Sequence, residues 1–201
     1  MAPADFSAST SPAPRVLLLP GWLNSDPAHW QSHWERLHGH HRVEQDDWTW
    51  PRRGDWMARL DEVLLESQAP AVLVAHSLGC LLVAAWAAHS QHTARVTAAL
   101  LVAPPDTERE DMPPNLFNWR PIARTRLPFA NPPSGTKGAT ARVVSSDDDP
   151  FCSPERAAGM AAAWGCAHTT LGPRGHINSE SGLRDWPEGQ ALLAGLMAAA
   201  R

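Results

Sequence analysis

The chain has 201 residues, a length that suits one domain with a substantial core. Its 17 Lys and Arg against 21 Asp and Glu leave a net charge of −4, which argues against nucleic acid or an anionic membrane surface as the main partner. No run approaches the ~18 consecutive apolar residues of a membrane span, and three scattered cysteines, Cys80, Cys152 and Cys166, suit a reduced, cytoplasmic protein.

Met1–Pro14 is rich in Ala, Ser and Pro, with no basic start and no apolar centre, so it reads as a disordered tail and not as a signal peptide. From Arg15 to Arg201 a single domain is expected. Arg15–Leu19 is a short apolar run that stops at Pro20-Gly21, a strand followed by a turn. Ser25-Asp26-Pro27 looks like a helix start leading into His29–Leu37, and Arg42–Gln45 is a weak polar strand suited to a sheet edge. Asp55–Glu66 places Trp56, Met57, Leu60, Val63 and Leu64 at helical spacing. Ala71–Val74 is a continuous apolar strand, and the Ala/Leu-rich stretch Leu78–His89 is helical. Val96–Val102 reads as another buried strand. Ala103–Ala139 then breaks pattern, holding eight of the chain's 19 prolines, and a loop of that length in a compact domain is usually a lid or a binding loop. Arg142–Ser145 resumes as a strand, Glu155–Trp164 as a helix, Ala167–Leu171 as a short strand and Pro187–Ala200 as a closing helix. Alternating strands and helices predict an α/β fold, with about six mostly parallel strands and helices on both faces. Ligands of such sheets bind beyond the carboxyl ends of the strands.

One of those ends carries the strongest chemical signal. Ala71–Ala75 runs into His76-Ser77-Leu78-Gly79 and straight on into a helical pattern. Strand, sharp serine-bearing turn and helix together form a nucleophile elbow. Strand and helix nearly touch there, so the residues two away from the serine must be small, as Ala75 and Gly79 are. The pentapeptide alone is weak; the strand-turn-helix context is what makes it specific.

A serine hydroxyl attacks only when a base takes its proton, and the base needs an acid to hold its tautomer. On this architecture the partners follow in the order Ser, acid, His. Asp147, Asp148 and Asp149 directly follow a late strand. Asp149 is favoured because Pro150 biases it to an extended conformation; Asp148 and then Asp147 are the alternatives, and the same cluster could simply precede the Ser153-Pro154 helix start. His176, in the Gly/Pro loop Gly172–Asn178, is the candidate base, and His168, within a strand, is the lesser one. An oxyanion hole needs two backbone N–H groups. Leu78 supplies one by position, and Trp22, after the first strand, is chosen for the other, although Pro20-Gly21 could be an ordinary turn. His76, adjacent to the serine on a sharp turn, points away from it and is read as structural or pocket-lining. Ten Trp with no Tyr suggest that some indoles line a pocket while most are core, and Trp22, Trp30, Trp48 and Trp119 are taken as pocket walls.

Other features are read as inert. His29 and His33 stand four apart on a helix with His38, His40 and His41 beyond, but no His-Glu-x-x-His and no third ligand accompany them, so no metal is expected. Cys80 falls inside a buried helix. There is no phosphate loop or dinucleotide fingerprint, so no cofactor is expected.

Together, Leu19-Pro20-Gly21-Trp22 with His29-Trp30, Gln45–Trp48 with Pro51, Leu73–Cys80, Val102–Pro105, Asp148–Phe151 and Gly175–Asn178 resemble the small α/β-hydrolases of the retinoblastoma-binding protein 9 / YdeN group. The resemblance runs over nearly the whole chain from Arg15. It implies a compact α/β-hydrolase with a minimal lid and a Ser-Asp-His triad, with the acid on the Asp before Pro and the base on the His of Gly-His-x-Asn. Ala75 and Ser145 depart from glycines common in that group, without removing a catalytic group. No Leu-x-Cys-x-Glu motif occurs, so pocket-protein binding is not carried over. The expected activity is cleavage of a small ester or amide through an acyl-enzyme. The rivals are a binding module on a retired hydrolase fold and a metal-dependent hydrolase using the His-rich segment.

Overall fold

The computed structural model describes residues 13–130 and 138–201. The expected N-terminal tail therefore lies outside the described residues except for Ala13 and Pro14, as does part of the irregular segment. Six strands, β1 (Arg15–Leu19), β2 (His41–Arg42), β3 (Ala71–His76), β4 (Val96–Val102), β5 (Ala141–Ser145) and β6 (Ala167–Thr170), form one sheet in the order β2-β1-β3-β4-β5-β6. Every neighbouring pair is parallel. Among the described residues five α-helices accompany them: α1 (Trp30–His38), α2 (Arg53–Leu65), α3 (Leu78–His89), α4 (Pro154–Trp164) and α5 (Pro187–Ala199).

The handedness of parallel crossovers decides where the helices go. The chain steps one way from β1 to β2 and the opposite way from β2 through to β6. Right-handed connections thus put α1 on one face and α2, α3 and α4 on the other, and α5 returns to the first. The strand residues divide accordingly. Leu17, Leu19, Leu73, Ala75, Ala99 and Leu101 pack with α2, α3 and α4. Val16, Leu18, Val72, Val74, Leu100 and Val102 pack with Trp30 and Trp34 of α1 and Leu193 and Leu196 of α5. Both faces are covered, which is why the central strands read as continuous apolar runs without alternation.

The edge strand expected over 42–45 is only two residues long. The ladder ends with the Val43 N–H donating to the Leu18 carbonyl at 2.9 Å. The Arg42 side chain, 8% exposed, is drawn inward, donating to the Ser25 carbonyl at 2.9 Å and the Asn24 side chain at 2.7 Å. The irregular segment packs against the α2/α3/α4 face, burying Met112, Leu116, Trp119, Ile122, Leu127 and Phe129. Its only regular pieces among the described residues are 3₁₀ turns at Pro114–Trp119 and Pro128–Ala130. Glu108 fastens it, accepting from the Ile122 N–H at 3.0 Å and from Arg124 at 3.1 Å. Among the described residues, no helix is long and apolar enough to cross a membrane.

Candidate active site

The sheet order reverses between β1 and β3, so the turns after these two strands flank a crevice at their carboxyl ends. Ser77 stands there, first after β3, with φ 53° and ψ −124°. Its N–H still donates to the Val102 carbonyl at 2.9 Å, so β3 keeps its pairing to β4 up to the turn. The chain then reverses at once into α3. A Cβ on Gly79 would lie 2.3 Å from the Leu19 carbonyl oxygen and 2.8 Å from that of Pro20. A Cβ on Gly21 would lie 2.7 Å from the Ser77 Cβ. Only glycine fits at either place. Ala75, in contrast, puts its methyl into the buried core beneath α3, where there is room for it.

The Ser77 hydroxyl lies 2.8 Å from His176 Nε2. His176 Nδ1 lies 3.0 and 2.9 Å from the two carboxylate oxygens of Asp149. The Asp149 side chain is 3% exposed and that of His176 10%, so the charge that would form on the ring sits beside a carboxylate shielded from water. The acceptor at Nδ1 fixes the tautomer: Nδ1 carries the proton and Nε2 presents its lone pair to the serine O–H. Phe151 packs edge-on against the imidazole, 4.6 Å between ring centres.

The neighbouring aspartates have other work. Asp148 accepts from the Ser146 hydroxyl and from the Gly175 N–H, both at 2.7 Å, and these bonds hold its carboxyl below the usual carboxylate range. Ser146 in turn accepts from the Arg174 N–H at 2.8 Å. Together they tether the loop that carries His176. Asp147 accepts from Thr170 at 2.6 Å, fastening β6. His168 is exposed on that edge strand, 2.8 Å from the Ser145 hydroxyl.

A cavity of about 570 Å³ opens above Ser77, within the size range of small-molecule sites. Trp22, Leu23, Met112, Leu116 and Phe151 give it apolar walls, and Asp26, Arg109, Asp111 and Glu180 its charged lining. Trp22, Ser77 and Leu78 all line it. Leu78 is the first residue of α3, where helix N–H groups have no intrahelical partner. Among the described residues, neither its N–H nor that of Trp22 donates to a protein acceptor. His76 also lines the cavity.

Three of the four tryptophans expected as pocket walls stand elsewhere. Trp30 and Trp119 are each 1% exposed, and Trp48 packs edge-on against Trp56 with ring centres 5.3 Å apart. For Trp30 and Trp119 the position goes with the indole N–H, which needs an acceptor once buried and finds one there. Trp30 donates to the Ile177 carbonyl at 2.9 Å, Trp34 to that of Asp185 at 2.8 Å, Trp119 to that of Pro51 at 2.9 Å and Trp164 to that of Ala123 at 2.7 Å. These indoles fasten loops to the core. Arg109, Asp111 and Met112, which do line the cavity, escape sequence reading because they sit in the segment without periodicity. Phe151 and Asn178 were within reach, since both lie inside the motifs around the acid and the base.

The histidine pair in α1 is engaged in the fold. His29 Nδ1 accepts from the Gln31 N–H at 3.1 Å as the helix cap, and burial pushes its pKa down to about 3. His33 Nδ1 pairs with Asp185 at 2.8 Å. Among the described residues, no group of three or more His, Cys, Asp or Glu is placed to hold a metal ion. Cys80 is fully buried, its thiol 3.3 Å from the Val102 carbonyl, and burial pushes its pKa well up. Such a thiol is not a nucleophile.

A parallel sheet covered on both faces, with a serine on a strained turn at the switch point and a histidine and a carboxylate in line behind it, defines the α/β-hydrolase class. The comparisons with known proteins agree. The model of the serine hydrolase family matches residues 16–195, and the chain belongs to that family. No curated protein matches the chain. Among solved structures, a YdeN-like hydrolase from Pectobacterium atrosepticum is 28% identical with a TM-score of 0.78, over 94% of this chain and 92% of that one. The ydeN gene product of B. subtilis is 20% identical with a TM-score of 0.68, over 92% and 98%. A thermophilic esterase from Thermogutta terrifontis is 17% identical with a TM-score of 0.58, over 96% and 92%, a likeness of fold. These carry the YdeN half of the resemblance; the retinoblastoma-binding protein 9 half rests on the motifs alone.

Proposed function

We propose that this serine hydrolase cleaves a small carboxylic ester, with amides second, through an acyl-enzyme on Ser77. The observation that carries the reading is the unbroken line from Asp149 through His176 to Ser77, each step at 2.8–3.0 Å. Ser77 Oγ attacks the substrate carbonyl carbon while its proton passes to His176 Nε2, and Asp149 steadies the imidazolium through Nδ1–H. The N–H groups of Trp22 and Leu78 hold the oxyanion. Collapse returns the proton to the departing alcohol or amine and leaves the acyl group on Ser77. Water, activated by His176, then releases the acid and restores the serine.

The apolar walls around the serine support a small apolar acyl group. The segment carrying Arg109 and Met112 is taken as a binding wall, because its buried side chains and the ion pair of Glu108 with Arg156 of α4 fix it to the core. Three free cysteines, two of them buried, support a reducing, cytoplasmic setting. The partner is the small-molecule substrate, with no role for nucleic acid or membrane. The test is turnover of p-nitrophenyl esters of rising acyl length. Short esters are expected to be hydrolysed by wild type and about 10⁴-fold more slowly, or worse, by Ser77→Ala. Equal turnover by the two would contradict the proposal.

A further inference from the structure

The loop that delivers His176 is held from beneath by two side-chain donors from the first half of the chain. His76 Nε2 lies 2.9 Å from the His176 carbonyl oxygen. That oxygen can only accept, so the ring donates. Trp30 Nε1–H donates to the next carbonyl, that of Ile177, also at 2.9 Å. Both donors are buried, His76 at 5% exposure and Trp30 at 1%. Between the two carbonyls the backbone takes an unfavourable path: Ile177 is β-branched, fully buried and has φ 49°. A β-branched residue in the left-handed region persists only where its surroundings enforce it. The rings themselves are in contact in a row, with His29 4.6 Å from His76 edge-on and His76 tilted against His176 at 4.9 Å.

We propose that His76 is a positioning residue for the base. Its Nε2–H, with Trp30 on the following carbonyl, seats the strained 176–177 turn so that the imidazole meets Ser77 and Asp149 together. The inference rests on the Ser77-His176 reading above. It gives the residue before the serine a task that pocket-lining does not. Burial keeps the His76 ring neutral, its pKa well below the ordinary histidine value, so the donor does not change with pH across the neutral range.

The experiment measures kcat and KM for p-nitrophenyl acetate per active site, with sites titrated by a fluorophosphonate, in wild type, His76→Phe and His76→Gln. Phe keeps a ring and removes the N–H; Gln restores an N–H at similar reach. Removal is expected to lower kcat about 10- to 100-fold with KM nearly unchanged, as expected for misplacing a catalytic group. Gln should recover most of the kcat. A merely structural role would reduce the number of titrated sites and leave kcat per site alone. His76→Phe with wild-type kcat per site, or Gln no better than Phe, overturns the inference. If His76→Phe does not fold, Trp30→Phe removes the companion N–H and is read the same way. Wild type without any titratable serine would instead overturn the Ser77 reading itself.

Discussion

The two faces of the sheet hold the two halves of the site by different means. On the α2/α3/α4 side the serine is fixed by steric exclusion: Gly79 lets backbone approach backbone, and Gly21 lets it approach the Ser77 Cβ, so closely that no further Cβ fits. On the α1/α5 side the histidine is fixed by directed hydrogen bonds, from His76 and Trp30 beneath and from the Ser146-Asp148 tether behind. The contrast has a physical origin. A residue on a tight turn between two regular elements inherits its place from them. A residue on a loop inherits nothing and must be held by polar contacts. Steric placement is insensitive to pH and salt, whereas placement by hydrogen bonds can be altered group by group.

The comparison can be broken most severely on the steric side. Gly79→Ala forces a methyl onto two carbonyl oxygens that cannot both retreat, so a loss of about 3 kcal/mol or more is expected. Urea unfolding of the variant, or its failure to fold, checks this; a stable, active Gly79→Ala would show that the elbow is looser than described. A smaller effect sharpens the polar side. Burial depresses the folded-state pKa of His29 from 6.5 to about 3, and that of His76 well below 6.5. In that window the unfolded chain binds more protons than the folded one, so stability is full above about pH 6.5 and falls as the pH drops toward the folded-state values. Each histidine contributes a slope of at most about 1.4 kcal/mol per pH unit. Denaturant midpoints measured between pH 7.5 and 5 should decline, and the slope should lessen in His76→Gln. A flat profile would mean that these rings are not held neutral by burial.

Most of the scaffold can be read directly from the chain, because buried parallel strands are apolar runs and Leu78–His89 begins where its strand stops. Ser77 and His176 can be located the same way, one from an elbow pattern and the other from a Gly/Pro loop after the last strand. Pro150 favours Asp149 over Asp148 on sequence but does not settle the choice. The direction in which the turn after β5 points each carboxyl decides that one meets the imidazole and the other the Gly175 N–H. The tryptophans mislead for a related reason. An indole is equally suited to a pocket wall and to a core position, and whether a loop carbonyl lies in reach of its N–H depends on residues as distant as Trp30 and Ile177. His76 is readable as near the site but not as a donor to the base, since its partner arrives 100 positions later.

The most direct test is covalent labelling of the folded protein with a fluorophosphonate, followed by mass mapping of the modified peptide in wild type, Ser77→Ala and His176→Ala. An activated Ser77 predicts a single adduct on the peptide containing Ser77, absent in Ser77→Ala and strongly slowed in His176→Ala. No adduct on folded wild type, or one at the same rate without His176, would contradict the account.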